Sequence, residues 1–340
     1  MTERSLPSRR HTLSIAAGLL AARATTAASS PLAPTTQTGI PEGAALLIAG
    51  PPQGRLDRWA DLLIPALDRT LPGATAQPVA RSTVGGADGV TGANQFEALV
   101  APDGGTALLL PGSAAIAWLV GDPRAQFDAA RWVPAWAGIA SAVLVSRVPL
   151  SPGRTLRVGG ARPAGPALPA LLALDMLGIE VTPSADSAAD AVFLCGQGAR
   201  AAATAQHGMV PVLTLGTLDP AGAWLRDPAF PAVPTAIEAA SRYSPPPALL
   251  AALRAAAAAT VLDVALVLPR LSPANRVAIW RRACAEASAT TDLMAEAASL
   301  GVRAAPVPAT AALMASIAAD VPTLLALRNW LDTRWGWRPS

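Results

Sequence analysis

The sequence predicts an α/β protein of two domains, built on mixed, mostly parallel sheets. A chain of 340 residues is long enough for two domains, each with a core of its own. Short apolar runs bounded by Pro and Gly alternate along the chain with stretches of helical periodicity. Because strands that alternate with helices favour parallel pairing through crossover helices, this alternation is the basis of the predicted fold class.

The clearest predicted strand is Thr106–Leu110, an apolar run that is too short for a helix and lies between turn-forming residues. A run of this kind is typical of a strand buried on both faces, as in parallel sheets. Pro111 and Gly112 then turn the chain, and Ser113 is predicted to cap a helix over residues 114–120. A buried strand that ends in a small-residue loop at a helix start is where open α/β sheets bind ligands.

The chain before this strand has the same pattern. Residues 44–49 are predicted to form a first buried strand, and residues 56–71 carry the spacing of an amphipathic helix. A second short strand is expected at residues 77–81, followed by the Gly-rich stretch 82–94 and a further helix. These segments therefore predict two strand–loop–helix units that lead into the strand Thr106–Leu110.

The charge pattern argues against a nucleic-acid-binding protein. The formal net charge is +3, but the sequence has no Lys, and its 26 basic residues, all Arg, are scattered. A nucleic-acid-binding domain concentrates its basic residues on one face or along one helix. We therefore expect no nucleic-acid partner.

Residues 1–30 are predicted to be an export signal rather than part of the fold. Arg4, Arg9 and Arg10 precede a short apolar stretch over residues 13–22, and small residues suited to a signal peptidase follow it. The adjacent Arg9 and Arg10 are typical of a twin-arginine signal, and an ordinary secretory signal is the alternative. Residues 31–41 would then be a linker, and the exported protein is expected in the periplasm.

No catalytic or metal-binding pattern is evident in the sequence. Cys/His spacing typical of a metal site is missing, and so is a Gly-x-Ser-x-Gly nucleophile motif. Cys195 and Cys284 are predicted to be buried and unpaired, because they fall in segments assigned to different domains. Trp330, Trp335 and Trp337 are interpreted as packing or surface aromatics. We therefore expect neither an enzyme nor a bound metal or cofactor.

The order of these segments resembles the periplasmic solute-binding receptors of tripartite tricarboxylate transporters, the Bug family. In that family an N-terminal strand, a Pro-Gly-rich loop and an early helical Asp precede a Gly-rich loop. An Ala-Pro-Asp-Gly turn and a strand that ends in a small-residue loop follow. The matching stretches in this sequence are residues 46–57, 84–92, 100–113, 127–134, 140–147, 231–240 and 264–282. The resemblance extends over nearly all of the chain after residue 41.

The resemblance implies a two-domain periplasmic-binding-protein fold of the Venus-flytrap type II class. Domain 1 would comprise residues 42–145 and 262–340, and domain 2 would comprise residues 146–261. Hinge strands near residues 144–146 and 261–265 would absorb the rotation that closes the two domains on each other.

The resemblance also implies a ligand site between the domains, where loops at helix N-termini hold a carboxylate through backbone N–H groups. The implied ligand-binding residues come from three loops: Gln53, Gly54, Arg55 and Asp57; Gly112, Ser113 and Ala114; and Gly160, Ala161 and Arg162. Arg55 and Arg162 would each offer a forked guanidinium to a carboxylate. For each of these two arginines, the alternative is a solvent-facing side chain.

The implied function is capture of a small organic acid by a monomeric protein, for the membrane subunits of a tripartite tricarboxylate-type transporter. The alternative is a sensor or scaffold protein of the same fold that has lost carboxylate binding and contacts a membrane partner such as a sensor ectodomain. Three departures from the family pattern favour the alternative. The first loop has fewer glycines, a second-domain segment is shortened to residues 182–189, and Leu194 stands where the family has Asp.

Overall fold

The computed structural model describes residues 43–71, 77–204 and 208–338, so the predicted export signal and linker lie outside the described residues. Within these residues the strands are β1 Ala45–Ala49, β2 Ala80–Val84, β3 Thr106–Leu110, β4 Val133–Ala140, β5 Ala142–Ser146, β6 Thr155–Gly159, β7 Glu180–Ser184, β8 Ala191–Cys195, β9 Val210–Thr214, β10 Thr217–Leu218, β11 Trp224–Leu225, β12 Leu262–Leu268 and β13 Val302–Ala305. The helices are α1 Arg55–Thr70, α2 Val90–Leu99, α3 Gly112–Val120, α4 Leu168–Met176, α5 Gln197–Thr204, α6 Ala236–Ser241, α7 Pro247–Val261, α8 Ala274–Ser288, α9 Thr291–Ser299, α10 Val307–Ile317 and α11 Val321–Trp335.

The strands form two large sheets, which confirms the predicted α/β class with mixed sheets in two domains. The six-stranded sheet has the order β13-β4-β12-β3-β1-β2, and the five-stranded sheet has the order β7-β6-β8-β5-β9. Strands β10 and β11 form a separate two-stranded ribbon.

The expectation that the sheets are mostly parallel is wrong. Among the described strands of the two large sheets, four pairings are parallel and five are antiparallel. Parallel pairs occur where strands are linked through helices, as in β1 with β2 and β3. Antiparallel pairing occurs in β4, β5 and β12, the strands that take the chain from one sheet to the other and back. The alternation of strands with helices, from which parallel pairing was predicted, does not extend to these strands.

The chain passes between the sheets at two places. It leaves the six-stranded sheet at Ser141, between β4 and β5, and returns at Leu262, directly after α7. Ser141 accepts a hydrogen bond from the Gly196 N–H at 2.8 Å and donates one to the Gly301 carbonyl at 3.2 Å. The predicted hinge at residues 144–146 therefore lies inside β5 of the second sheet, since an apolar buried strand does not reveal where the chain changes sheet.

Both faces of the six-stranded sheet are buried, as predicted for β1 and β3. Leu46 and Ile48 of β1 pack into one apolar cluster with Trp59, whereas Leu47 and Ala49 pack into another on the opposite face. The Ala-rich helix α7 is largely buried and packs against α3, α4, α10 and α11. Its small side chains allow this close approach, and its last ten residues, 252–261, are buried except for Arg254.

Among the described residues, no single helix is both long and apolar enough to span a membrane. Helices α10 and α11 meet the length and composition criteria only as a pair, and they are bent by 62° relative to each other.

Gly112, the first residue of α3, lies where two parts of the backbone approach too closely for any side chain. A Cβ atom at this position would lie 2.1 Å from the Ala259 carbonyl oxygen and 2.3 Å from that of Leu262. The start of α3 is thereby fixed against the end of α7 and the beginning of β12.

We expect Gly112→Ala to lower the free energy of unfolding by about 3 kcal/mol, because the backbone must move to accept the methyl group. Gly86→Ala is the matched control, since its Cβ would meet only Asp88 Oδ1, at 3.8 Å, and should change stability by less than about 0.5 kcal/mol. Denaturant unfolding of both variants measures the difference. Equal stability of the two variants would contradict the close approach at Gly112.

Candidate functional site

The three predicted ligand loops each contact one short segment, residues 259–263, which we call the return junction. It joins the end of α7 to the start of β12. The first loop contacts it through Arg55, and the second contacts it through Gly112. The third loop contacts it beyond its predicted residues 160–162, through the Pro166 carbonyl oxygen, which accepts a hydrogen bond of 3.3 Å from Thr260 Oγ1. The structure therefore brings parts of all three loops to the place where the chain returns to the first sheet.

The first loop is held on the return junction by an ion pair between Arg55 and Asp263. Arg55 is the first residue of α1, and its Nη1 lies 2.9 Å from Asp263 Oδ1. The indole N–H of Trp59, one turn further along α1, donates to Asp263 Oδ2 at 3.0 Å. Asp263 lies at an irregularity in the pairing of β12 with β4, between Leu262 and Val264. Because a bulge re-aims a side chain, this irregularity accounts for a carboxylate that reaches α1 from within a buried strand.

The two partners of this ion pair differ in exposure. The Asp263 side chain is 3% exposed, whereas that of Arg55 is 54% exposed. Burial raises the pKa of Asp263, and the Arg55 charge and the Trp59 N–H offset only part of that rise. Gly54 is the N-cap of α1 and provides no side-chain cap, so the positive end of the helix adds to the field at Arg55. A fixed, half-exposed guanidinium at an uncapped helix start is suited to binding an anion.

The five-stranded sheet reaches the same place through Cys195, the last residue of β8. Burial raises the pKa of the Cys195 thiol to about 12, although the nearby Arg55 charge lowers it and the Asp263 charge adds to the rise. Cys284, in the middle of α8, is buried, and burial raises its pKa to about 12 as well. Both cysteines are free, as predicted. Cys195 is therefore a neutral neighbour of the Arg55–Asp263 pair at pH 7.

Asp57 is engaged by the protein itself rather than left free for a ligand. Its carboxylate pairs with Arg81 Nη2 at 2.6 Å and accepts hydrogen bonds from Thr83 Oγ1 at 3.1 Å and from the Gln53 backbone N–H. Gln53 has φ of 60°, a left-handed conformation that is unfavourable for a side-chain-bearing residue. Burial raises the pKa of Asp57, but the hydrogen bonds from Arg81, Gln53 and Thr83 outweigh it, so the pKa lies below its usual value. Asp57 thus holds the first loop in its strained turn.

The second loop, which contains Gly112, Ser113 and Ala114, is largely covered by protein atoms. Gly112 and Ala114 are buried, and the Ser113 hydroxyl donates to the Asp88 carbonyl at 3.2 Å. The prediction that Ser113 caps α3 is wrong, because the helix begins at Gly112 with Pro111 at the N-cap. Ser113 therefore already lies in the first turn, and its hydroxyl bonds to the loop before α2.

The third loop leaves one cation accessible. Gly160 is exposed with φ of 63°, whereas Ala161 is buried. Arg162 is exposed, and within the part of the chain that the structure describes its side chain has no ion-pair partner. Its backbone N–H donates to the Gly160 carbonyl at 2.8 Å, which holds the turn. Among the described residues, no contact joins the Arg162 side chain to Arg55 or to the return junction, so the two predicted anion-binding arginines are not brought together.

A second ion pair joins the six-stranded sheet to the segment that follows the β10–β11 ribbon. Arg303 lies on β13 of the six-stranded sheet, and its Nη2 is 3.9 Å from Oδ1 of Asp227, which follows β11. Asp227 is completely buried and anchored by a hydrogen bond of 2.9 Å from the Ala229 N–H. Arg303 Nη2 and Asp227 Oδ2 are buried without a hydrogen-bond partner. The two charges therefore attract each other without forming a hydrogen bond.

Sequence analysis did not single out Asp263, although a signal for it exists. It is the one charged residue in the otherwise apolar strand Leu262–Leu268. A carboxylate buried in such a strand requires a partner, and a cation at the start of a helix is an obvious one. Among the described residues, no group of three or more His, Cys, Asp or Glu is placed to hold a metal ion, and His207 lies outside them.

We predict that Asp57→Asn lowers the free energy of unfolding at pH 7 by about 2 kcal/mol, because hydrogen bonds to a buried charge are lost. The lowered pKa means that ionised Asp57 stabilises the fold above its unfolded value of about 3.9, and that this contribution is lost as pH falls through the folded value. The difference between wild type and variant should therefore shrink in denaturant unfolding at about pH 3.

Asp61→Asn is the matched control, because Asp61 also pairs with Arg81 but is 61% exposed. It should cost less than about 1 kcal/mol at either pH. An Asp57→Asn effect that is independent of pH, or no larger than that of Asp61→Asn, would contradict the role given to Asp57.

Comparison with known proteins finds similar folds among solved structures. No family model matches the sequence, and no curated protein matches it significantly. A solved TctC solute-binding protein from Polaromonas, without ligand, is 16% identical, with coverage of 84% of this chain and 98% of that chain at a TM-score of 0.63. Malate-bound MatC from Rhodopseudomonas palustris is 16% identical, and the match covers 84% of this chain and 98% of MatC at a TM-score of 0.48. The periplasmic binding protein BugD is 13% identical, with coverage of 86% and 97% at a TM-score of 0.47.

These neighbours are TctC- and Bug-type solute-binding proteins, and they match most of the chain at low sequence identity. The chain has the periplasmic-binding-protein-like fold of the TctC solute-binding proteins, with two mixed α/β sheets.

Proposed function

We propose that this protein is an exported solute-binding protein that captures a small organic anion, a carboxylate, between its two domains. The observation that carries this proposal is the position of Arg55. Its guanidinium is half-exposed at the uncapped start of α1 and fixed on the buried Asp263, where three loops meet the return junction. No other described arginine combines a fixed guanidinium with an uncapped helix start and proximity to both sheets.

A carboxylate matches the hydrogen-bond donors of this site. A guanidinium presents parallel N–H groups to two carboxylate oxygens, and the first turn of α1 adds backbone N–H groups directed the same way. Asp263 neutralises the charge of Arg55, so the exposed Arg162 on the second domain would supply the net positive charge. A ligand held by Arg55 from one domain and Arg162 from the other favours the closed form by its differential affinity.

The domain movement would take place at the two points where the chain changes sheet. We place these at Ser141 and Leu262, with β5 in the second domain. Short extended segments that join two sheets can absorb the changes in φ and ψ that a hinge rotation requires. The protein would deliver its ligand in the periplasm to the membrane subunits of a tripartite tricarboxylate-type transporter, as its fold and its N-terminal sequence suggest.

A sensor or scaffold protein of the same fold remains the second candidate function. It is favoured by the second loop, where the start of α3 is closed by the carbonyl groups of Ala259 and Leu262. A closed helix start offers no N–H groups to a ligand. This loop would therefore form part of the wall of the site without donating hydrogen bonds to a carboxylate.

The test is thermal unfolding of the full chain with a panel of di- and tricarboxylates, aromatic acids and amino acids. A bound acid at about a hundred times its Kd should add about 2.7 kcal/mol of stability and raise the Tm by several degrees. We expect Arg55→Gln to weaken binding about tenfold to a hundredfold, because a charge-assisted hydrogen bond is lost.

Arg69→Gln is the matched control, since Arg69 is exposed in the last turn of the same helix, away from the return junction. Its effect on the shift should be below twofold, whereas Arg162→Gln should weaken binding to an intermediate degree. The absence of a shift with every acid would overturn the receptor proposal and favour the scaffold. Equal effects of Arg55→Gln and Arg69→Gln would overturn the assigned site.

A further inference from the structure

A cavity of about 410 Å³ lies between α4, β7 and the C-terminal helix α11. Its lining includes Gly178 and Glu180, at the beginning of β7. The third predicted ligand loop follows the end of β6, which runs parallel to β7. Because the beginning of one strand and the end of its parallel neighbour lie at opposite edges of the sheet, this cavity is separate from the candidate anion site.

Two tryptophans of α11, Trp330 and Trp335, line the cavity. Their ring centroids are 6.5 Å apart and their planes are inclined by 62°, so the rings form two adjoining walls. Trp330 is buried and fixed by its indole N–H, which donates to Asp175 Oδ2 at 2.8 Å, whereas Trp335 is half-buried. The face of an indole ring carries partial negative charge, and two inclined faces surround a cation better than one does.

The charges that line the cavity do not cancel. Asp175 uses both carboxylate oxygens, one for Trp330 and one for Arg334, whose Nη2 lies 3.0 Å away. Glu180 accepts only a hydrogen bond of 3.2 Å from the Thr155 hydroxyl and has no ion-pair partner among the described residues. Two carboxylates against one guanidinium leave the lining with one net negative charge.

Arg154, whose carbonyl oxygen accepts a hydrogen bond of 3.1 Å from the Glu180 N–H, does not alter this balance. Arg154 is exposed and does not line the cavity, and its charge acts on Asp190, whose pKa it helps to lower. Among the described residues, no cation pairs with the Glu180 carboxylate, and the one guanidinium of the lining, Arg334, is paired with Asp175.

We propose that this cavity binds a small organic cation, a methylated or quaternary ammonium compound. The ammonium group would lie against the inclined faces of Trp330 and Trp335, with Glu180 supplying the opposite charge. The cavity volume falls within the range of small-molecule sites, and a methylated ammonium is poorly hydrated and loses little on leaving water. The ligand is opposite in charge to the acids of the proposed function, so this is a second site with its own chemistry.

The experiment is calorimetric titration of the full chain with choline and with 3,3-dimethylbutanol, its uncharged isostere. Choline should bind at least tenfold more tightly than the isostere, because only the cation is attracted by the rings and by Glu180. Trp335→Leu and Glu180→Gln should each weaken choline binding about tenfold. Trp337→Leu is the matched control, because Trp337 lies just beyond α11 and does not line the cavity.

The outcomes separate this proposal from the proposed function. Glu180→Gln is an exposed change that leaves the fold intact, so its failure to weaken choline binding would overturn the assigned site. Equal binding of choline and its isostere, or no binding of either, would overturn the cation proposal itself. The response to organic acids should be unchanged in Trp335→Leu and Glu180→Gln, whatever the result with choline.

Discussion

The return junction, residues 259–263, is the constraint on which the rest of the arrangement depends. Asp263 holds Arg55 and Trp59, so it fixes both the angle and the position of α1 on the six-stranded sheet. The carbonyl oxygens of Ala259 and Leu262 leave room only for a glycine at the start of α3. Thr260 bonds to the loop that leads into α4 of the other domain. A single five-residue segment therefore contacts all three predicted ligand loops. A substitution in this segment should alter the position of each loop.

The placement of charge explains why this junction is suited to function rather than to stability alone. A buried carboxylate such as Asp263 costs free energy unless it is paired, and a well-packed apolar residue would often be as stable. The chain keeps the carboxylate and pairs it with an arginine that remains half-exposed. A second pair, Arg303 with Asp227, likewise combines one exposed cation with one buried carboxylate, but its atoms stay 3.9 Å apart. Pairs of this kind fix the relative positions of the two segments that they join, and this specificity is their main contribution.

The sequence predicted the elements whose pattern is local, and it missed those that depend on tertiary context. Strand β3 was predicted with its observed bounds and β1 to within one residue, because short apolar runs between turn residues leave few alternatives. Strand β7, at the edge of its sheet, was not predicted, and part of it was assigned to the shortened segment 182–189. An exposed strand that contains a proline lacks the apolar run by which strands are recognised. Asp263 was overlooked because its role comes from a bulge and from a partner that lies 208 residues away. The predicted loops lie near one another, but whether a loop is open or closed, as at Gly112, is set by long-range packing.

The most direct test of this account is a crystal structure of the full chain with the organic acid that stabilises it most. The account predicts a carboxylate within hydrogen-bond distance of the Arg55 guanidinium, with Arg55 still paired to Asp263 and with the second domain closed over the acid. An acid bound elsewhere, or an Arg55 side chain turned away from the return junction, would contradict the claim that this junction organises the anion site.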